Sequence, residues 1–243
     1  MSKFDQVAFF WIGNETAIPT LLVKSLKLVY QNKVKIFHLT DFASRKVEGT
    51  SKTIRLNLPK DIMLARLQAY RDFPYNKNLT YFCDADCLFI QKLNLSNLDK
   101  NIYLIKRNEN FIINHDFPEY YPEFVNKTFI EMMPYLFGGV AIRDGKQFFS
   151  KVFDICLELP TRFHRWYGDQ YALMIHVDHN KNPTNLLPMD IYLRTVSNVL
   201  TISDIGILTR NNVKIIHFKG LKNKKMIPKN YQNLVQFYSE IRQ

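Results

Sequence analysis

The run Tyr81-Phe82-Cys83-Asp84-Ala85-Asp86-Cys87-Leu88-Phe89-Ile90 sets two carboxylates inside an otherwise apolar stretch. Such a stretch reads as a buried strand. Ionised aspartate in apolar surroundings is costly unless it is paired or binds a metal. The run itself holds no Lys, Arg or His, so a cation is the expected partner. Extended backbone points residues i and i+2 to one side, which lets Asp84 and Asp86 offer oxygens to one ion if the strand ends there. Divalent Mg²⁺ or Mn²⁺, carried with substrate phosphates, suits such a pair. Asp-x-Asp also arises by chance in solvated turns, but Leu79, Tyr81 and Phe82 before it and Leu88, Phe89 and Ile90 after it leave little room for a surface loop.

Around this centre the chain alternates strand and helix signals. Val7–Ile12 reads as a first buried strand closed by Gly13-Asn14. A helix follows, with Thr16 as N-cap, Pro19 in the first turn and Leu22, Leu26 and Val29 at helical spacing. Val34–Leu39 and Thr53–Leu56 read as further strands, and a helix spans Asp61 to Asp72 with Met63, Leu67 and Tyr70 on one stripe. This order predicts an α/β fold with a mainly parallel sheet. Arg66 shares the apolar stripe, a position that wants an anion; phosphate fits its fork of donors, and an internal salt bridge is the plainer alternative. His38 lies in a strand with no local ligand partner and reads as structural.

Ile102–Ile105 and Leu136–Ile142 read as strands, the second entered through Gly138-Gly139, where backbone can approach a ligand or simply bend. The aromatic stretch between them, Asn110 to Tyr135, fits either an acceptor-lining segment or surface loops with buried anchors. A helix after Asp144 turns Phe149, Val152, Phe153 and Cys156 inward and stops at Pro160; another begins near Asp169, which suits a first helical turn. Val213–Phe218 is a late strand, and Tyr231 to Arg242 a closing helix. Between Asp204 and Glu240 there is no carboxylate but seven basic residues, centred on His217 at a strand end, where α/β proteins tend to place ligands.

The chain of 243 residues carries a net charge of +11, which favours anionic partners such as nucleotide phosphates, nucleic acid or an acidic membrane surface. Its 47% hydrophobic residues suit one folded domain, residues 1–243, with the basic segment and helix over about 219–243 as an appendage. No apolar run approaches the ~18 residues of a membrane span, and the N-terminus lacks a secretory pattern; the expectation is a cytoplasmic protein, with peripheral contact to an anionic membrane as an option. Cys83, Cys87 and Cys156 read as small core residues rather than a disulfide framework or zinc site.

Taken in order, the early buried strand, Arg66-Leu67, Tyr81–Asp86, Phe137-Gly138-Gly139-Val140, Gly168-Asp169-Gln170 and His217-Phe218-Lys219-Gly220-Leu221-Lys222 resemble the GT-A glycosyltransferases. The nearest likeness is to the retaining, family 8-like group of glycogenin and bacterial lipopolysaccharide galactosyltransferases, by motif order over Val7 to Lys222. The resemblance implies a Rossmann-like GT-A fold and a metal-dependent hexosyltransferase. It would use a nucleoside diphosphate sugar, a UDP-sugar, on a glycan or lipopolysaccharide acceptor in building a surface polysaccharide. It implies Asp84, Asp86 and His217 as ligands of Mn²⁺ or Mg²⁺, and Lys222 and Arg66 at the diphosphate. Ile12, Gly13 and Asn14 would border the base, Gly138 and Gly139 would lie beside the sugar, and Asp169 and Gln170 would face it. The sequence departs from the pattern: the lysine stands one residue early, Asn223-Lys224-Lys225 replace a Pro-Trp, and Phe137-Gly138-Gly139 replaces an Asn-Ser-Gly type of segment.

The chemistry is consistent with that family. Cleaving a sugar from a nucleoside diphosphate leaves an anionic product that a metal and nearby cations stabilise. Two other classes compete. A haloacid-dehalogenase-like phosphohydrolase also uses Asp-x-Asp after a strand, but here the motif follows three strands, Cys87 stands where that family prefers Thr, and Leu173 stands where a second acid would follow Asp169. A basic nucleic-acid binding protein fits the charge, but no recognition helix or zinc module is visible.

Overall fold

The structure is a computed structural model, and it describes residues 6–95, 101–113, 121–180 and 185–242. In chain order the strands are β1 (Gln6–Phe10), β2 (Lys35–Thr40), β3 (Lys52–Arg55), β4 (Thr80–Cys83), β5 (Cys87–Phe89), β6 (Ile102–Lys106), β7 (Tyr135–Ile142), β8 (Asn185–Pro188), β9 (Arg194–Thr195) and β10 (Ile215–His217). The helices are α1 (Ala17–Tyr30), α2 (Ile62–Arg71), α3 (Phe129–Met132), α4 (Lys146–Glu158), α5 (Thr161–Arg165), α6 (Gly168–Asn180), α7 (Met189–Tyr192), α8 (Ile202–Arg210), α9 (Gly220–Lys224) and α10 (Ile227–Glu240).

Seven strands form one sheet in the order β3-β2-β1-β4-β7-β6-β8. The β3-β2-β1-β4 half is parallel, β7 runs antiparallel to both β4 and β6, and β8 pairs parallel to β6. This is the expected mixed, mainly parallel α/β sheet. The chain moves outward from β1 to β2 and β3, then returns through α2 to lay β4 on the other side of β1. That reversal opens a crevice beyond the carboxyl ends of β1 and β4, where sheets of this type bind ligands.

Period-two alternation sorts the strand residues between two cores. Val7, Phe9, Tyr81 and Cys83 pack with Leu22, Val23, Leu26 and Val29 of α1 on one face. Ala8, Phe10 and Phe82 pack on the other with Met63, Leu67 and Tyr70 of α2 and Phe149, Val152 and Cys156 of α4. Tyr70 wedges between Phe82 and Phe137, with ring centroids 4.4 and 5.4 Å away; a fully buried aromatic of this kind contributes about 1.5–3 kcal/mol by burial. His38 is structural as expected: its Nδ1 accepts from Val47 N, so Nε2–H donates to the Trp11 carbonyl, and the ring stacks on Phe9.

The apolar run through Asp84 and Asp86 is not one strand. β4 ends at Cys83, the two aspartates occupy a turn, and β5 leaves for a second sheet of order β5-β10-β9. That small sheet is backed by α8 and α10 through Leu88, Ile205, Ile216, Phe218, Leu234 and Phe237. α10 starts at Ile227, earlier than the sequence suggested, with a proline in its first turn. Within the aromatic stretch, Tyr121, Phe124 and Met133 bury against Phe163 as a satellite core, so the described part of that segment carries buried anchors; residues 114–120 lie outside the described residues. The three cysteines are free and buried, as core residues. No helix among the described residues is long and apolar enough to cross a membrane.

Candidate active site

Two sheets meet at the Asp84–Asp86 turn. Asp84 N donates to the Gly138 carbonyl at 3.2 Å, carrying the β4–β7 ladder one residue further. Asp86 O accepts from Phe218 N at 3.1 Å, and Cys87 pairs with His217 in register, which brings the imidazole alongside. His217 Nε2 lies 3.1 Å from Asp86 Oδ1 and 3.7 Å from Asp84 Oδ2. The residues named as metal ligands therefore converge.

The expectation that the carboxylates lack protein partners is corrected by the structure. Arg66 Nη1 of α2 reaches Asp84 Oδ1 at 2.9 Å, and Lys224 Nζ of α9 reaches Asp86 Oδ2 at 2.8 Å. The partners come from distant segments, which a local reading of the run cannot see. Burial opposes the charge of Asp86, but His217 and Lys224 outweigh it and hold the carboxyl well below the usual aspartate range.

Arg66 also ion-pairs with Asp169, which has no exposed surface, and its guanidinium lies 5.1 Å over the Phe137 ring. The internal salt bridge is thus the reading of Arg66 that the structure contains, although its side chain still borders open space. Asp169 sits in the first turn of α6, where its Oδ1 accepts from Gln170 N at 2.7 Å. Gln170 Oε1 accepts from Arg107 Nη2 at 3.0 Å. Arg107 is 5% exposed; it donates to the Met133 carbonyl and lies near Glu109, which also takes Lys219 Nζ at 2.7 Å. Burial pushes both Arg107 and Lys219 down, whereas Lys219 helps hold Glu109 below its ordinary range against the effect of burial.

A cavity of about 700 Å³ opens over this floor, lined by Asp84, Asp86, Gly138, Gln170, His217 and Lys224 among others. A smaller one of about 270 Å³ adjoins it at the end of β1, lined by Trp11, Ile12, Met63, Arg66, Asp84 and Trp166. Of the predicted residues at the base, Ile12 borders this cavity, whereas Gly13 and Asn14 do not; Gly13 N donates to Ser44 Oγ, its carbonyl accepts from Arg45 N, and Asn14 is exposed. Gly138 faces the cavity with its α-carbon close to Asp84, while Gly139 is turned toward Tyr81 and Ile105. Lys222 is exposed and lines neither cavity; Lys219 and Lys224 reach the larger one instead. Sequence reasoning missed Lys219, Lys224, Arg107, Glu109 and Trp166. Lys219 carried the best signal, two residues beyond His217 on alternating backbone.

The donor set fits a hard divalent ion. It combines two carboxylates, which suit Mn²⁺ or Mg²⁺, with an imidazole, which favours a transition metal such as Mn²⁺ over Mg²⁺. His217 Nδ1 is buried with no hydrogen-bond partner, so the ring presents Nε2 to two carboxylate oxygens. A lone pair cannot face two anions; a proton or a metal ion must lie between them. Ligand atoms of Asp86, Cys87 and His217 also fall within 4.8 Å of one another. Burial, reinforced by the charge of Asp86, pushes the Cys87 thiol well above its ordinary pKa, so without a metal it stays neutral.

No protein-family model matches the chain, and no curated protein matches it. Solved structures do. A glycosyltransferase involved in the glycosylation of the major capsid of PBCV-1 superposes with a TM-score of 0.59 at 9% identity, covering 95% of this chain and 100% of the other. The apo form of the glycosyltransferase GlyE of Streptococcus pneumoniae TIGR4 gives 0.57 at 14% identity, covering 99% of this chain and 63% of that one. The galactosyltransferase LgtC, crystallised with donor and acceptor sugar analogs, gives 0.55 at 13% identity, covering 97% and 95%. The chain therefore has the GT-A-like α/β fold of these glycosyltransferases.

Proposed function

We propose that this chain is a metal-dependent glycosyltransferase. It moves a sugar from a nucleoside diphosphate sugar, a UDP-sugar, to a hydroxyl of a glycan or glycolipid acceptor, with retention of anomeric configuration. Residues 1–243 act as one transferase domain, with residues 219–243 as the segment that carries Lys224 and the helix behind the small sheet. The observation that carries the reading is the convergence of Asp84, Asp86 and His217 on the floor of a cavity at the sheet's switch point. The shared fold supports it, and so do the donor and acceptor sugar analogs bound by LgtC.

Asp84, Asp86 and His217 would hold the ion, which when bound supplies positive charge to the departing diphosphate. Arg66 and Lys224 border the same space and stabilise negative charge that grows as the glycosidic bond breaks. The small cavity lined by Trp11, Ile12 and Trp166 takes the base. Gln170 faces the sugar; because Arg107 occupies its carbonyl oxygen, it offers its amide hydrogens to a sugar hydroxyl. Asp169, fully buried, acts through Arg66 and Gln170 rather than on the sugar itself. The basic surface around Lys222 and Lys225 suits peripheral contact with an anionic membrane from the cytoplasmic side.

Calorimetric titration of UDP with and without Mn²⁺, on wild type and on the Asp84→Asn/Asp86→Asn variant, tests this. Micromolar binding that requires Mn²⁺ and is lost in the variant is the expected result. Failure of every nucleoside diphosphate to bind under either condition overturns it.

A further inference from the structure

Both oxygens of Asp86 already face protein nitrogens. Oδ2 receives Lys224 Nζ at 2.8 Å and Oδ1 faces His217 Nε2 at 3.1 Å. A divalent ion bound by the same carboxylate would stand within a few ångströms of that ammonium, and two cations at such range repel in a partly buried site. The Lys224 contact and a bound metal therefore oppose one another. Lys224 is 30% exposed, so its head has water to move into.

The element that carries Lys224 is lightly held. α9 has no buried residue, and Leu221 in its first turn is 84% exposed. It begins at Gly220, whose φ of +79° suits glycine and whose missing side chain would meet nothing within 4 Å. Hydrogen bonds from Asn223 Nδ2 to the Lys219 carbonyl and from Met226 N to Asn223 O hold it in place. Segments with few buried contacts are the ones that move at low cost.

We propose that Lys224 is a resident counter-ion of Asp86 that a divalent cation displaces, and that the displaced ammonium then meets the diphosphate of the nucleotide. The proposal rests on the transferase reading above. It makes metal and nucleotide bind cooperatively: the ion alone must expel Lys224 into solvent, whereas ion and nucleotide together give it a new anion. By linkage the same coupling strengthens the ion when nucleotide is present.

The test measures Mn²⁺ alone by electron paramagnetic resonance and UDP in saturating Mn²⁺ by calorimetry. The proteins are wild type, Lys224→Met, Lys224→Arg and Lys225→Met, each checked for folding by circular dichroism. Lys224→Met should bind Mn²⁺ roughly fivefold more tightly, the scale of one partly exposed ion pair, yet bind UDP more weakly. Lys224→Arg should stay near wild type in both. Opposite signs in one variant are the signature, because a merely structural lysine would weaken both ligands on removal. Equal Mn²⁺ affinity in wild type and Lys224→Met, lost in Asp84→Asn/Asp86→Asn, overturns the displacement and leaves the metal site standing. Equal tightening in Lys225→Met also overturns it, since that reports only the general field. Mn²⁺ binding to none of the proteins, or undiminished in the double-aspartate variant, overturns the metal site and the proposal together.

Discussion

A single methyl group at Gly138 should cost this protein the proposed metal site while leaving its fold. A β-carbon built there would sit 2.5 Å from Asp84 Oδ2, 3.1 Å from its Cγ and 3.3 Å from Leu193 Cδ2. Relief to ordinary contact requires Oδ2 to retreat by about 1 Å. Asp84 cannot retreat freely, because Oδ1 is tied to Arg66 Nη1 at 2.9 Å and its backbone N–H to the carbonyl of Gly138 itself. Metal ligation tolerates errors of about 0.2 Å, so the displaced oxygen is lost as a ligand. Mn²⁺ affinity of Gly138→Ala should fall about 10- to 100-fold, the range seen when a ligand's support is removed. Overpacking should cost about 1–3 kcal/mol, a fall in Tm of roughly 2–4 °C for each kcal/mol in a chain of this size. Electron paramagnetic resonance gives the first quantity and a thermal melt the second. Gly139→Ala is the internal contrast: its methyl would press on Ile105 and the Tyr81 hydroxyl, away from the carboxylates. It should lower Tm and spare Mn²⁺ binding. Gly138→Ala that binds Mn²⁺ within twofold of wild type would refute the reasoning.

Asp169→Asn takes away one of the two carboxylates that Arg66 pairs with, Asp84 remaining, and should lower stability by about 1–3 kcal/mol, read from the urea midpoint. Asp86 has a folded pKa below its unfolded value, so its contribution to stability is full above about pH 4 and is lost as pH falls below that toward the folded value. Urea midpoints from pH 6 down to pH 3 should show that slope in wild type and a flatter one in Asp86→Asn. Arg107→Met frees the Gln170 carboxamide to turn over and should leave UDP affinity within twofold of wild type while UDP-sugar turnover drops by roughly 100-fold.

Much of this architecture can be read from periodicity because each element satisfies its own pattern locally. The stripe Met63, Leu67 and Tyr70 is buried, and alternation in Val7–Phe10 divides cleanly between two cores. Asp84 and Asp86 stood out for a different reason, since charge inside an apolar frame is anomalous wherever it lies, and His217 stood out at a strand end within a basic segment. Lys224 escaped because its contact with Asp86 depends on how α9 leaves Gly220, a backbone choice that glycine leaves open. Arg107 escaped because a basic residue at a strand end, beside Lys106 and with Glu109 two residues on, looks solvated until Met133 and Gln170 arrive from elsewhere. The division of the apolar run into β4 and β5 was hidden too, because Cys83 and Cys87 are equally at home in either sheet.

That division has a mechanical consequence. The two aspartates lie on the three-residue tether between a large sheet and a small one, with Gly138 of β7 gripping one side and Phe218, just past β10, the other. Any slide of one sheet past its neighbour is concentrated in the spacing of two carboxylates. The tether works as a strain gauge: substitutions in the distant packing of α8, which backs the small sheet, should register as altered ion affinity before they register as unfolding.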